Sequence, residues 1–180
     1  MHSMELEKDI ILVNSVSIEK RLFEDIKLNT KWDESIRSRK TVSYGIPYNY
    51  SGITYSRSAI PNYLDELRNL VLHHVGFLPN NCLINYYLNG FSKMGFHSDQ
   101  IDRLIDGTGI AIFSLGSSRI IRFRSKVNIE RKIDIILNGG SLFYMSQNVQ
   151  NNWMHAILPD KENIQSERIS ITFRMLTECI

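Results

Sequence analysis

The sequence predicts a mainly β protein, a sandwich or barrel of short strands with helices covering one outer face. Three observations predict it. From about Asn81 onward, short β-rich segments recur at regular intervals. Turn signals such as Asn89-Gly90, Asp106-Gly107 and Asn138-Gly139-Gly140 separate many of them. Ahead of these segments, two stretches repeat apolar residues at helical spacing.

The first helical stretch has Ile18, Leu22 and Ile26 as its apolar stripe, with Ser15 or Ser17 as cap and an end near Leu28. Residues 35–58 differ in kind. Arg37, Arg39 and Lys40 are followed by Tyr44, Tyr48, Tyr50 and Tyr55 among Gly, Pro, Asn and Ser, a pattern of loops and short strands at a surface. The second helix begins near Pro61. Asp65 and Glu66 favour its positive end, and Leu64, Leu67, Val71 and Val75 share one face. Gly76 and Pro79 stop it. The predicted strands are Cys82–Tyr87, Gly109–Leu115, Arg119–Arg124, Ile133–Ile136, Ser141–Met145, His155–Leu158 and Arg168–Leu176.

At 180 residues, the chain is expected to form one domain, residues 1–180. Residues 1–26 form an extension and helix, 27–80 hold loops and a helix, and 81–177 form the β domain. Hydrophobic residues at 43% and charged residues at 22% are ordinary for a globular protein, and a net charge of +2 permits nucleic acid without requiring it. Two cysteines, Cys82 and Cys179, make no disulfide framework, so an intracellular setting, cytoplasmic or nuclear, is expected. No apolar run has the length of a membrane span, and the polar N-terminus shows no signal region. No membrane partner and a monomeric state are expected.

Three constellations carry chemistry. In His97-Ser98-Asp99, read as extended strand, residues i and i+2 share a face, so an imidazole and a carboxylate converge on one ion. His155, in the apolar run Trp153–Leu158, is the best third ligand. Two His and one carboxylate on one side leave open positions opposite, which suits non-heme Fe(II) that must also bind oxygen and a cosubstrate. The second constellation is Arg168-Ile169-Ser170-Ile171-Thr172-Phe173-Arg174. Ile169, Ile171 and Phe173 face a core, whereas Arg168, Ser170, Thr172 and Arg174 form an opposite wall that either binds an anion or is simply solvated. The two arginines stand roughly 20 Å apart along a flat strand, so a small diacid reaches both only if the strand bends or the side chains lean together. Third, Asn85 and Tyr87 put two polar tips on one strand face.

These signals, in this order, resemble the AlkB family of nucleic-acid dealkylating dioxygenases, and most of all its eukaryotic DNA-repair branch. The likeness extends to Arg39-Lys40-Thr41-Val42-Ser43-Tyr44-Gly45 with Tyr50-Ser51-Gly52, to Ser114-Leu115-Gly116, and to Gly140-Ser141-Leu142 with Trp153-x-His155-x-Ile157-Leu158-Pro159. It covers roughly Lys27 to Leu176. The resemblance implies a double-stranded β-helix, a jelly roll with N-terminal helices packed on one face. It implies Fe(II) held by His97, Asp99 and His155 as the catalytic and metal residues. It implies 2-oxoglutarate held by Asn85, Tyr87, Arg168, Thr172 and Arg174, with the distal carboxylate on Arg168 and Arg174 nearer the metal. The implied reaction uses dioxygen to demethylate an N-alkylated base in DNA or RNA, yielding formaldehyde, succinate and CO2. Tyr50 would sandwich the flipped base, Tyr48 would line its pocket or touch phosphate, and Arg37, Arg39 and Lys40 would grip the backbone.

Two departures qualify the substrate. After Asp99 stand Gln100 and Ile101 where the DNA-repair branch has acidic residues. Gln100 hydrogen-bonds a base edge but offers no carboxylate to a cationic base. The pair Lys31-Trp32 is present, but Leu28-Asn29-Thr30 before it lacks the aromatic finger used on duplex DNA. Single-stranded DNA or RNA is therefore favoured over an intact duplex, and the same oxygenase chemistry on a small molecule or protein side chain is the rival reading.

Overall fold

The computed structural model describes residues 4–14, 21–48 and 55–178. The predicted cap at Ser15 or Ser17, Ile18, the predicted base-stacking Tyr50, and Cys179 lie outside the described residues.

The chain runs through α1 (Met4–Glu7), β1 (Ile10–Val13), α2 (Leu22–Asn29), β2 (Lys40–Gly45), a 3-10 turn (Asn62–Leu64), α3 (Asp65–Val75), β3 (Asn81–Tyr87) and β4 (Met94–His97). It continues through β5 (Gly109–Gly116), β6 (Arg119–Ser125), β7 (Lys132–Leu137), β8 (Ser141–Ser146), α4 (Gln147–Asn152), β9 (Trp153–Ile157) and β10 (Arg168–Arg174). Among the described residues, ten strands build two antiparallel sheets, one in the order β1-β8-β5-β10-β3-β2, the other β4-β9-β6-β7. This is a mainly β jelly roll.

Strand β10 shows how the alternating sequence sorts the interior. Ile169, Ile171 and Phe173 join a buried cluster with Leu22 and Ile26 of α2 and Leu64, Leu67 and Val71 around α3. A second cluster lies between the sheets, with Tyr87, Ile112, Phe143 and Met145 from the larger sheet and Ile121, Phe123, Trp153 and Ile157 from the smaller. The polar face of β10 looks into that second layer. No residue of β10 is exposed, because helices cover one face of the sheet and the smaller sheet the other. This decides against a solvated arginine face.

Helix α3 ends as its sequence predicts: Gly76 takes a left-handed φ of 85°, and its N–H donates to Leu72 O at 3.1 Å. Gly116 ends β5 at a φ of 79°, where a Cβ would stand 2.6 Å from Glu167 O.

Three features differ from the sequence reading. Asn89-Gly90 does not close a hairpin, because β3 and β4 belong to different sheets. Strand β4 stops at His97, so Asp99 lies beyond regular pairing rather than within a strand. Helix α4 has Val149 as its apolar residue among Gln and Asn, so no periodic stripe announced it.

Candidate active site

The register of the smaller sheet brings the two histidines together. His97 is the last residue of β4 and pairs with His155 of β9, and their rings lie 4.3 Å apart. Asp99 follows two residues on, with Oδ1 3.4 Å from His97 Nε2. One ligand atom from each of His97, Asp99 and His155 falls within 4.8 Å of the others. With its Nδ1 proton donated to Gly95 O at 2.9 Å, His97 keeps the Nε2 lone pair that a metal needs.

Burial and charge prepare these groups. Burial, reinforced by neighbouring His97, pushes the His155 pKa down to about 3, so its imidazole is neutral and able to ligate. Burial alone would raise the Asp99 carboxyl, but the Arg174 guanidinium beside it holds it well below the usual carboxylate range. Arg174 Nη2 donates to Asp99 Oδ2 at 2.6 Å.

The same cavity collects the other predicted groups. It lies between the sheets and is lined by Asn85, Tyr87, Arg168, Thr172 and Arg174 together with His97, Asp99 and His155. Apolar walls come from Leu83, Ile112, Ile121 and Ile157, among others. Arg168 is wholly buried. Its Nη2 donates to Ser114 Oγ at 2.9 Å, and its guanidinium lies 5.2 Å from the centre of the Tyr87 ring. Among the described residues, Nε and Nη1 of Arg168 have no hydrogen-bond partner and no carboxylate pairs with it. Burial pulls its pKa down, because the charge is poorly solvated there.

Of the predicted substrate residues, the described ones stand behind or beside the cavity lining. Arg39 is buried, and its Nε donates to Asn85 Oδ1 at 2.8 Å. Lys40 is ion-paired with Glu34 at 2.6 Å. Tyr48 is buried with its ring 4.0 Å from the Arg174 guanidinium. The Tyr48 hydroxyl accepts the Gln100 N–H at 2.9 Å. The Gln100 side chain is exposed beside Asp99.

Sequence reasoning missed three partners: Ser114 for Arg168, Arg39 for Asn85, and Gln150, whose Oε1 accepts the Asp99 N–H. No local spacing signals them, since their separations are 54, 46 and 51 residues.

The residues present fit an iron(II) and 2-oxoglutarate site. The donor set is two imidazoles and a carboxylate. His155 Nδ1, Arg168 Nε and Nη1, and Arg174 Nε are buried without partners among the described residues, as groups awaiting a ligand would be.

Residues 17–174 match the model of the 2OG-Fe(II) oxygenase superfamily. The chain belongs to that superfamily. Fe(II), 2-oxoglutarate and dioxygen are the reagents of its dioxygenases. The chain is 30% identical over 154 residues to human "DNA oxidative demethylase ALKBH2", covering 81% of this chain and 59% of that one. Bovine "Alpha-ketoglutarate-dependent dioxygenase alkB homolog 3" is 28% identical over 174 residues, 85% of this chain and 60% of its own. "Uncharacterized protein R406" of Acanthamoeba polyphaga mimivirus is 30% identical over 169 residues, 92% of this chain and 87% of its own. Within the superfamily the chain is therefore an AlkB-family member. It spans 59% of the human relative's length. The solved structure titled "The structure of OsALKBH1" shares the fold, with a TM-score of 0.65 at 13% identity over 93% of this chain and 96% of that one. Among the described residues no helix is long and apolar enough to cross a membrane.

Proposed function

We propose that this chain is an Fe(II)- and 2-oxoglutarate-dependent dioxygenase that demethylates N-alkylated bases in DNA or RNA, as a single domain over residues 1–180. The observation that carries the oxygenase reading is the placement of an unpaired, wholly buried Arg168 in one cavity with His97, Asp99 and His155. A buried cation without a counter-charge is unfavourable by itself, and a carboxylate ligand answers it.

His97, Asp99 and His155 would hold the iron, which when bound supplies the oxidation of cosubstrate and substrate by dioxygen. Arg168, seated on Tyr87 and Ser114, receives one carboxylate of 2-oxoglutarate. Asn85 has its amide oxygen engaged by Arg39, so Nδ2 remains as its donor to the ligand. Arg174 holds Asp99 ionised, and Thr172 lines the wall between the two arginines. Apolar side chains around the metal site keep water from the reacting groups. A hydroxylated N-methyl group then collapses to formaldehyde and the free base, alongside succinate and CO2.

Nucleic acid as substrate rests on the named activity of the human relative and on the exposed Gln100 beside Asp99. One observation favours the rival substrate class. Arg39 and Lys40, the basic pair offered to phosphate, are engaged with Asn85 and Glu34. Incubation with Fe(II), 2-oxoglutarate and methylated single-stranded DNA and RNA should release formaldehyde. Succinate formation stimulated by small molecules or peptides, and never by methylated nucleic acid, would replace the substrate half of the proposal. Absence of any succinate would reject the whole.

A further inference from the structure

Asp99 presents a positional problem. A metal ligand must be held to a fraction of an ångström, yet strand pairing ends at His97, two residues earlier. Hydrogen bonds to two distant segments, at Tyr48 and at residues 150–153, replace the missing ladder. Ser98 Oγ donates to Trp153 O at 3.0 Å, the Asp99 N–H donates to Gln150 Oε1 at 2.9 Å, and the Gln100 N–H donates to the Tyr48 hydroxyl at 2.9 Å.

Gln150 occupies the centre of this arrangement. It is buried, and so is Asp99. Its amide can stand only one way round, because the reverse would set Nε2 against the Asp99 N–H, donor to donor. In the orientation that satisfies Asp99, Nε2 is left buried without a partner among the described residues. An unsatisfied buried donor is unfavourable by about 1–3 kcal/mol. The fold tolerates that penalty at the residue that fixes the carboxylate's backbone. Helix α4, which carries Gln150, is itself tied down. Gln147 Nε2 donates to Ile105 O at 2.9 Å, Asn148 Nδ2 to Asp9 Oδ2 at 2.6 Å, and Lys126 Nζ to Gln150 O at 2.6 Å.

We propose that Gln150 is a positioning residue for the metal-binding carboxylate of Asp99, acting through the Asp99 backbone N–H. This rests on the reading of His97, Asp99 and His155 as a metal centre. Gln150→Met keeps the length and removes the acceptor, whereas Gln150→Glu keeps an acceptor oxygen. The test titrates the full chain with Co(II) in the presence of 2-oxoglutarate, reads visible absorption, and follows each variant's thermal midpoint. Gln150→Met should weaken Co(II) binding about 10- to 100-fold, with a midpoint close to wild type in the metal-free protein. Gln150→Glu should recover binding to within about threefold, a shift worth under 1 kcal/mol. Wild-type binding in Gln150→Met, equal losses in both variants, or a Gln150→Met protein that is unfolded in the cold would overturn the proposal. A wild-type chain that binds no Co(II), or a His155→Ala variant that binds it normally, would instead overturn the metal reading beneath it.

Discussion

Arg174 and Asp99, 75 residues apart in sequence, form a buried ion pair with Nη2 and Oδ2 separated by 2.6 Å. The same guanidinium lies 4.0 Å from the centre of the Tyr48 ring, so one side chain joins the carboxylate to the segment that follows β2. Arg174→Met strands a buried carboxylate. The metal-free protein should lose about 3–5 kcal/mol in urea unfolding, and part of that should return when a divalent cation is added. An unchanged urea midpoint would contradict this role for the pair.

Arg168 should behave in the opposite way. It is buried and lacks a carboxylate partner, so Arg168→Met removes a poorly solvated charge from the ligand-free fold. Thermal stability without cosubstrate should hold or rise. Binding of 2-oxoglutarate should weaken by at least about 30-fold, corresponding to some 2 kcal/mol. Calorimetric titration and melting of one preparation measure both, and unaltered cosubstrate affinity would count against the assignment.

Arg39 allows two functions to be separated. If its task is to orient Asn85, Arg39→Ala raises the KM for 2-oxoglutarate and lowers stability by about 2 kcal/mol, as for a charge-assisted buried hydrogen bond. A phosphate contact would instead reduce the salt dependence of nucleic-acid binding by about one unit of slope. The expected outcome is the KM effect with the salt slope unchanged.

Lys27, Tyr86 and Glu167 form a network that links α2 to β3 and to the approach to β10. Lys27 Nζ lies 2.7 Å from Glu167 Oε2, and the Tyr86 hydroxyl donates to Glu167 Oε1. Burial would raise the Glu167 pKa, but these two donors bring it below its ordinary 4.5. Its stabilisation is therefore complete above pH 4.5 and is lost as pH falls further. Burial and the nearby carboxylate push Tyr86 from 10.0 up to about 12, so its share is complete below pH 10 and disappears as pH rises toward 12. The hydrogen bond to Glu167 raises Lys27 and acts in the same alkaline direction. Melting across pH should show a flatter acid limb in Glu167→Gln and a flatter alkaline limb in Tyr86→Phe. Curves parallel to wild type would remove the network from the account of stability.

His97→Ala should abolish succinate formation while leaving the far-ultraviolet circular dichroism of the chain unchanged. In wild type, chelation should lower the thermal midpoint, and the midpoint should then climb with the concentration of added metal. Full turnover in His97→Ala would reject the ligand set.

Much of the fold was legible because short-range chemistry dictates it. The alternation of Arg168–Arg174 marked a strand with one apolar and one polar face, and β10 has both. The apolar spacing of α3 and its stop at Gly76 were equally local. Strand β1 and helix α4 were not legible. The first is a four-residue apolar run without alternation, and the second a polar segment held by contacts to Ile105, Asp9 and Lys126.

The sequence by itself determined which residues the proposed chemistry rests on: the order Asn85, Tyr87, His97, Asp99, His155, Arg168, Arg174 is legible without the fold. Tertiary structure decided what surrounds each of them. It turned a wall of arginines that local pattern left open to solvent into the inside of a cavity, because burial depends on what covers a strand and not on the strand. It also turned Arg39 from a surface grip into a partner of Asn85, and supplied Gln150 to an aspartate that had run off the end of its sheet. Periodicity reports which face a side chain takes, whereas partners 46 and 51 residues away become neighbours only when the sheets close.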